Sequence, residues 1–90
     1  MTQVEALVAV FQLQRAEDAT EPWVGSGDVD DHLEHEDIGD TSRTLLRAYR
    51  NGRLARRWVV TGGRGGGHYA YTLTSKGREY LYHRLRGYAA

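Results

Sequence analysis

The sequence has 90 residues, a length that fits one domain of ordinary soluble composition, with 40% hydrophobic and 27% charged residues. It contains no cysteine, which excludes disulfide scaffolds, thiolate metal sites and cysteine nucleophiles. No apolar run approaches the ~18 residues that a membrane span needs, and no secretion signal is visible, so we expect a cytoplasmic protein.

The net charge is zero, but the charges are unevenly distributed along the chain. Residues 1–40 contain eleven acidic residues and one basic residue, whereas residues 41–90 contain eleven basic residues and one acidic residue. Such asymmetry indicates a nucleic-acid or membrane partner. The alternative is that the two halves neutralise each other within the fold and bind nothing.

The first predicted helix spans 2–18 and has two apolar stripes. The stripe with i, i+3, i+4, i+7 spacing should face the core; it comprises Val4, Leu7, Val8 and Phe11. The opposite stripe comprises Ala6, Ala9, Val10 and Leu13. Because a helix that is apolar on two faces is buried on two faces, we assign Ala6, Val10 and Leu13 to a homodimer contact. The alternative is that another helix of the same chain covers this stripe.

The next segment, 19–40, predicts a loop with a two-residue strand at Trp23-Val24 and a short helix over 28–35 capped by Ser26 or Asp28. A turn over 36–39 follows, with Ile38 as a buried plug. The acidic stretch 28–37 is most simply a solvated helix and turn. Two alternatives stay open: an acidic surface for a protein partner, and a metal- or ligand-responsive switch through His32 and His35.

A second, basic helix is predicted over 41–50, capped by Asp40 and ended by Asn51-Gly52. Its packing side comprises Thr41, Leu45, Ala48 and Tyr49. Its other side presents Arg43, Arg47 and Arg50, with no acid at salt-bridge spacing inside the helix. One face can pack while the other enters a DNA major groove, where arginine donates to guanine edges or phosphates. A solvated charged face is the alternative.

The glycine-rich segment 61–68 separates two β-rich runs at 58–60 and 69–73, which predicts a hairpin with a flexible tip. The lone cation of the tip, Arg64, suits a narrow minor groove. Three arginines that lie before the first of these runs are expected to flank the backbone of a duplex; they are Arg53, Arg56 and Arg57. A last helix over 75–87 should be capped by Thr74 or Ser75, and one of its stripes is formed by Leu81, Leu85 and Tyr88.

No recognisable nucleophile or cofactor motif is present, so we expect neither enzymatic activity nor a cofactor. The order helix, short strand, helix, helix, strand, loop, strand, helix describes an α+β winged helix-turn-helix, with 1–90 as one DNA-binding domain.

The stretch 71–81, YTLTSKGREYL, resembles the "Y-x-L-T-x-x-G-R-x-x-L" exit from the wing in winged-helix regulators of the MarR, PadR and ArsR-like type, including small archaeal and viral ones. The stretch 51–57, NGRLARR, is similar to their "G-L-V-x-R" segment, with Arg53 standing where the family has an apolar residue. The resemblance implies a homodimeric transcription regulator, most simply a repressor, that binds double-stranded DNA. Base readout would then fall to Ser42, Arg43, Thr44 and Arg47. Backbone and minor-groove contacts would fall to Arg50, Arg57 and Arg64.

Overall fold

Four helices and a three-stranded antiparallel sheet form an α+β structure. This computed structural model describes residues 1–15, 22–63 and 65–89, with side chains through residue 86. The elements are α1 (Gln3–Gln14), β1 (Val24–Gly25), α2 (Ser26–Leu33), α3 (Ile38–Arg50), β2 (Leu54–Val60), β3 (Gly67–Leu73) and α4 (Ser75–Ala89). The predicted element order is therefore confirmed.

The sheet has the strand order β1-β3-β2, so the last strand lies in the centre. Strands β2 and β3 form a regular hairpin that pairs Leu54 with Leu73 at its base and Val60 with Gly67 near its tip. We call this hairpin, with its connecting loop 61–66, the wing. Strand β1 covers only two residues on the other edge of β3, pairing Val24 with Tyr71.

Helix α1 is the centre of the core rather than an outer layer. A capping box starts it: the Thr2 hydroxyl accepts from the Glu5 backbone N–H, and the Glu5 carboxylate accepts from the Thr2 backbone N–H, each at 3.1 Å. The helix contacts α2, α3, β3 and α4. It ends at Gln14, and the predicted extension through 16–18 lies outside the described residues.

The assignment of Ala6 and Val10 to a dimer contact is wrong. Both side chains are fully buried inside one chain, as are those of Leu7 and Ala9. The intrachain alternative holds because α1 packs on helices and sheet together, and this leaves neither side chain any surface for a second copy. Leu13 is half-buried and packs against the same core cluster.

The connection between α2 and α3 differs from the predicted turn. Helix α3 begins at Ile38 because Asp37, and not Asp40, accepts the capping hydrogen bond, 3.1 Å from the Asp40 backbone N–H. Ile38 is therefore in the first helical turn and is 51% exposed, so its predicted burial is wrong. Helix α2 begins at Ser26. The Asp28 carboxylate accepts a 3.0 Å hydrogen bond from the backbone N–H of Gly25, the residue that precedes the helix.

The start of α4 is joined tightly to the segment between α3 and β2. The Thr74 hydroxyl donates to the Gly52 carbonyl at 2.7 Å and accepts from the Gly77 backbone N–H at 3.0 Å. Gly52 has φ +77°, the left-handed conformation that ends α3 as predicted. Gly77 is buried so closely against Arg53 that an added Cβ would overlap the Arg53 carbonyl oxygen. The threonine and glycine of the T-x-x-G motif are thus both required by this joint.

Replacing Gly77 by alanine should destabilise the protein by at least about 1–3 kcal/mol, because the new methyl group meets backbone that cannot move away cheaply. The matched control is Gly27→Ala in α2, where a Cβ would meet nothing within 4 Å. We expect the control to be neutral or stabilised by up to about 1 kcal/mol, because alanine favours the helix. Urea unfolding of both variants measures the difference, and equal free energies of unfolding would contradict the close approach at Gly77.

Candidate nucleic-acid interface

Helix α3 has one buried and one exposed face. Thr41, Leu45 and Ala48 are fully buried beneath it. The guanidinium-bearing side chains on the opposite face are exposed; they are Arg43, Arg47 and Arg50. The helix thus carries three cations on a packed, rigid support, which is the arrangement that a groove-binding helix requires.

Arg43 lies beside a carboxylate, contrary to the prediction that the helix holds no acid at salt-bridge spacing. Because α3 starts at Ile38, Asp40 is inside the helix, three residues before Arg43. The Asp40 Oδ1 atom lies 4.0 Å from Arg43 Nη2, and the Arg43 side chain is 70% exposed. Asp40 therefore orients the Arg43 guanidinium, which remains accessible to a ligand.

Asp40 is the centre of a small cluster of charged groups. Its Oδ2 atom accepts hydrogen bonds from the Met1 amino group at 2.9 Å and from His35 Nε2 at 2.7 Å. The bond from the amino group, with that from His35, lowers the pKa of Asp40. The same bond to Asp40 raises the pKa of the Met1 amino group. The cluster fastens the start of α1 and the α2–α3 connection to the first turn of α3.

Two of the predicted base-reading residues are less accessible than expected. Thr44 is 5% exposed, and its hydroxyl donates to the Asp40 carbonyl at 2.9 Å. Its assignment to base readout is therefore wrong: the side chain points into the fold and its donor is already used. Ser42 is half-buried. Only Arg43 and Arg47, among the four, extend fully from the surface.

The first two arginines that precede the wing tip are half-buried and held by aromatic rings, and their expected place beside a duplex stays a prediction. Arg53 donates to Gln3 Oε1 at 2.7 Å, and its guanidinium carbon lies 3.7 Å from the centre of the Tyr80 ring. Arg56 lies between the rings of Tyr49 and Tyr69, at 4.2 and 3.9 Å. Such close stacks are cation–π contacts that hold elements of the fold together.

The environment of Arg56 preserves its charge. Loss of water around the guanidinium acts to lower its pKa, but the hydrogen bond with Tyr71 and the nearby hydroxyl groups of Tyr69 and Tyr49 outweigh this, and the pKa is raised. Tyr49 was predicted in the core but is 37% exposed, because its ring covers Arg56 instead.

Arg57 is exposed on the face of β2 opposite to Arg56, since side chains alternate along a strand. Its guanidinium carbon lies 4.7 Å from the centre of the Trp23 ring. The connecting loop of the wing requires glycine: Gly62 and Gly65 have φ values of +72° and +73°. Arg64 lies outside the described residues, so its predicted minor-groove contact stays a prediction.

The acidic segment serves partly as internal structure. Asp30, 9% exposed, accepts from the Thr41 hydroxyl at 2.8 Å and from the Asp37 backbone N–H at 3.2 Å, which ties α2 to the start of α3. His32 Nε2 lies 2.7 Å from Gln12 Oε1. Within residues 1–15, 22–63 and 65–89, no three His, Cys, Asp or Glu side chains are grouped closely enough to hold a metal ion.

An apolar groove lies between α1 and α4. Its volume is about 570 Å³, and it is lined by Phe11, Arg78, Leu81, Tyr82, Leu85 and Arg86. Leu81 forms its floor at 6% exposure, whereas Tyr82 and Leu85 are 63% and 40% exposed. Leu81 and Leu85 line the same groove, as expected for one stripe of the last helix, and the side chain of Tyr88 lies outside the described residues.

None of the helices described is both long and apolar enough to cross a lipid bilayer.

Solved structures of the same shape identify the fold. A PadR family transcription regulator from hypervirulent Clostridium difficile R20291 matches with a TM-score of 0.67 and 16% identity, over 96% of this chain and 86% of that chain. Bacillus subtilis PadR in complex with operator DNA matches with a TM-score of 0.68 and 16% identity, over 94% of this chain and 47% of that chain. A possible transcriptional regulator from Methanosarcina mazei Go1 matches with a TM-score of 0.60 and 20% identity, over 93% of this chain and 68% of that chain.

The chain therefore has an α+β winged-helix fold similar to that of PadR regulators, as its sequence predicted. It spans about half the length of the Bacillus subtilis protein. No protein-family model and no curated protein sequence matches it.

Asp40→Asn tests the charged cluster at the start of α3. Because the pKa of Asp40 is lowered in the folded state, its ionised form stabilises the fold above the unfolded-state value of about 4, and this stabilisation is lost as the pH falls through the lowered pKa. We expect urea unfolding to show the variant less stable than the wild type at about pH 6, with a difference that shrinks toward about pH 3.

The control is Asp31→Asn, which replaces an exposed carboxylate of α2. Its stability relative to the wild type should change little over the same pH range. A difference for Asp40→Asn that stays constant with pH would show that the ionised carboxylate is not what stabilises this region.

Proposed function

We propose that this chain is a DNA-binding domain of a transcription regulator, with α3 in the major groove of a duplex and the wing on the minor groove. The observation that supports this most strongly is the two-sided α3, which exposes three arginines over a buried face of Thr41, Leu45 and Ala48. The similar fold of Bacillus subtilis PadR, which was solved in complex with operator DNA, supports duplex DNA as the ligand.

Arg43 and Arg47 are proposed to read bases. Arg47 is exposed and makes no ion pair or ring contact within the described part of the chain, so its guanidinium can make two hydrogen bonds to guanine. Arg43 is oriented by Asp40, which restricts its conformations before it meets a base. Ser42 is proposed as a lesser contact at the edge of the same surface.

Arg50, Arg57 and Arg64 are proposed to contact phosphates or the minor groove. Contacts to phosphate fix the orientation of a protein on the duplex, whereas contacts to base edges select the sequence. Occupancy of an operator by this domain would exclude or recruit other proteins at the same site, and repression is the simpler of these two mechanisms.

Arg47→Ala should weaken binding to a selected operator by about 1–3 kcal/mol and relax specificity at one base pair; the same holds for Arg43→Ala. Fluorescence anisotropy of a labelled duplex, chosen from a random pool by rounds of selection, measures both effects. The control is Arg84→Ala, an exposed arginine of α4, which should bind as the wild type does.

The salt dependence of the same titration tests phosphate contact. With ~4–6 phosphates neutralised per protomer, the log–log slope should be about −4 to −5. If Arg43→Ala or Arg47→Ala costs the same on operator and random DNA, that residue contacts phosphate and not a base. Absence of binding at ~50 mM salt would overturn the proposal and favour a protein-binding domain that uses the exposed carboxylates of α2.

We also propose that the protein works as a homodimer and that the groove between α1 and α4 is the contact surface, in place of Ala6 and Val10. The exposed fractions of Tyr82 and Leu85 leave apolar surface that a second copy would cover. A two-fold dimer would place two copies of α3 on successive major grooves of one face of the duplex, which suits a pseudo-palindromic operator.

Leu85→Lys tests the dimer, because a charge placed in an apolar contact is not solvated there. Light scattering coupled to size exclusion should report a dimer for the wild type and a monomer for the variant. His83→Lys, an exposed position two residues earlier on α4, should remain dimeric. A wild-type monomer at high concentration, or a dimer in both variants, would contradict this contact surface.

A further inference from the structure

Four side chains form a continuous stack from α3 to the outer half of the wing. The Tyr49 ring of α3 lies 4.2 Å from the Arg56 guanidinium, which lies 3.9 Å from the Tyr69 ring. Tyr69 in turn meets Trp58 edge-to-face, with ring centres 5.0 Å apart and planes at 78°. The stack thus connects the helix proposed to enter the major groove with the strand pair proposed to follow the minor groove.

The position of Trp58 is fixed by a glycine. Trp58 pairs with Tyr69 across the hairpin, and the next residue on its face of β3 is Gly67. A Cβ at Gly67 would lie 2.8 Å from two atoms of the Trp58 indole, so the ring lies directly over the bare backbone of this residue. A side chain at residue 67 would displace the ring, and its absence lets the indole occupy this space.

This ordered ring is nevertheless half in solvent. Trp58 is 51% exposed, and Tyr69 and Val60, on the same face of the sheet, are 40% and 69% exposed. The face is the one that buries Leu54, Tyr71 and Leu73 nearer the base of the wing, so the three exposed side chains continue the helix-facing side beyond the helices. We call Trp58, Tyr69 and Val60 the wing platform.

The charges around the wing platform favour a polyanion as its partner. Strands β2 and β3 contain no acidic residue, and Arg56 lies in the stack itself. The helix at the other end of the stack exposes Arg47 and Arg50. A surface that combines apolar rings with cations and lacks carboxylates is matched by a DNA strand, whose deoxyribose groups are apolar and whose phosphates are negative.

We propose that the wing platform packs against the deoxyribose wall of the minor groove next to the major groove entered by α3, and that Trp58 is its principal contact. This inference rests on the proposed DNA-binding function and adds to it a wing contact made by apolar side chains. The stack through Arg56 and Tyr49 holds the platform at a fixed distance from α3. The spacing between the two contacts on the duplex is therefore set by the fold.

The two tryptophans of the chain allow a direct test, because they lie on opposite sides of the wing region: Trp58 in the platform and Trp23 beneath Arg57. Trp23→Phe leaves Trp58 as the only indole, and Trp58→Phe leaves Trp23. Acrylamide quenching of each variant is measured with and without a saturating selected duplex. We expect the duplex to protect Trp58 from acrylamide, and to protect Trp23 less.

A second measurement separates contact from structure. Trp58→Ala should weaken duplex binding about fivefold or more, because aromatic surface buried against the duplex is lost. The slope of the salt dependence should stay unchanged, because no phosphate contact is removed. Arg50→Ala, by comparison, should reduce the magnitude of that slope by about one. The control is His68→Ala, an exposed residue on the opposite face of β3 at the same height, which should bind normally.

The outcomes are distinct. Duplex binding by the wild type with no protection of Trp58, or a loss in His68→Ala larger than in Trp58→Ala, overturns the platform contact and leaves the proposed function standing. Absence of duplex binding by the wild type overturns both. Protection of Trp58 that depends on protein concentration without DNA would show a contact between copies of the chain and would also overturn the proposal.

Discussion

The joint between Thr74, Gly77 and the backbone at Gly52-Arg53 is the constraint on which the candidate interface depends. It fastens the end of α3, the start of β2 and the first turn of α4 within one small region. The wing leaves this region in a direction set by backbone contacts that tolerate no added carbon at Gly77. The joint therefore fixes the main-chain path between the arginine face of α3 and the wing, and the stack of Tyr49, Arg56 and Tyr69 adds a side-chain contact between the two.

The acidic half of the chain does more than neutralise the charge of the basic half. Asp30 and Asp40 bind hydroxyl, amide and amino groups that would otherwise remain unpaired, and through them α1 and α2 hold the first turn of α3. On the basic side, Arg53 and Arg56 are held by tyrosines. Charge counts along the sequence therefore overstate both the acidic and the basic surface, because several charged side chains have internal partners and function as structural residues.

The order of elements could be predicted because it is encoded locally: apolar periodicity marks the helices, Asn51-Gly52 marks the end of α3, and glycines mark the wing tip. The start of α3 could not, because Asp37 and Asp40 are equally good caps, and the choice depends on Asp30 and on an amino group 39 residues away. Nor could periodicity distinguish Arg47, which is exposed, from Arg56, which is enclosed by rings from α3 and β3. Thr44 shows the same limit. A helical wheel places it between the packed and the exposed face of α3, and only the tertiary packing shows that it is buried.

The central position of α1 has a consequence for how the chain folds as it is made. Helix α1 contacts β3 and α4, which follow it in the chain and are therefore synthesised after it. The buried side chains of α1, such as Leu7 and Val10, consequently remain partly uncovered in the nascent chain until β3 and α4 have been synthesised. Closure then joins segments that are distant in sequence, and cooperative folding must await nearly the whole described chain.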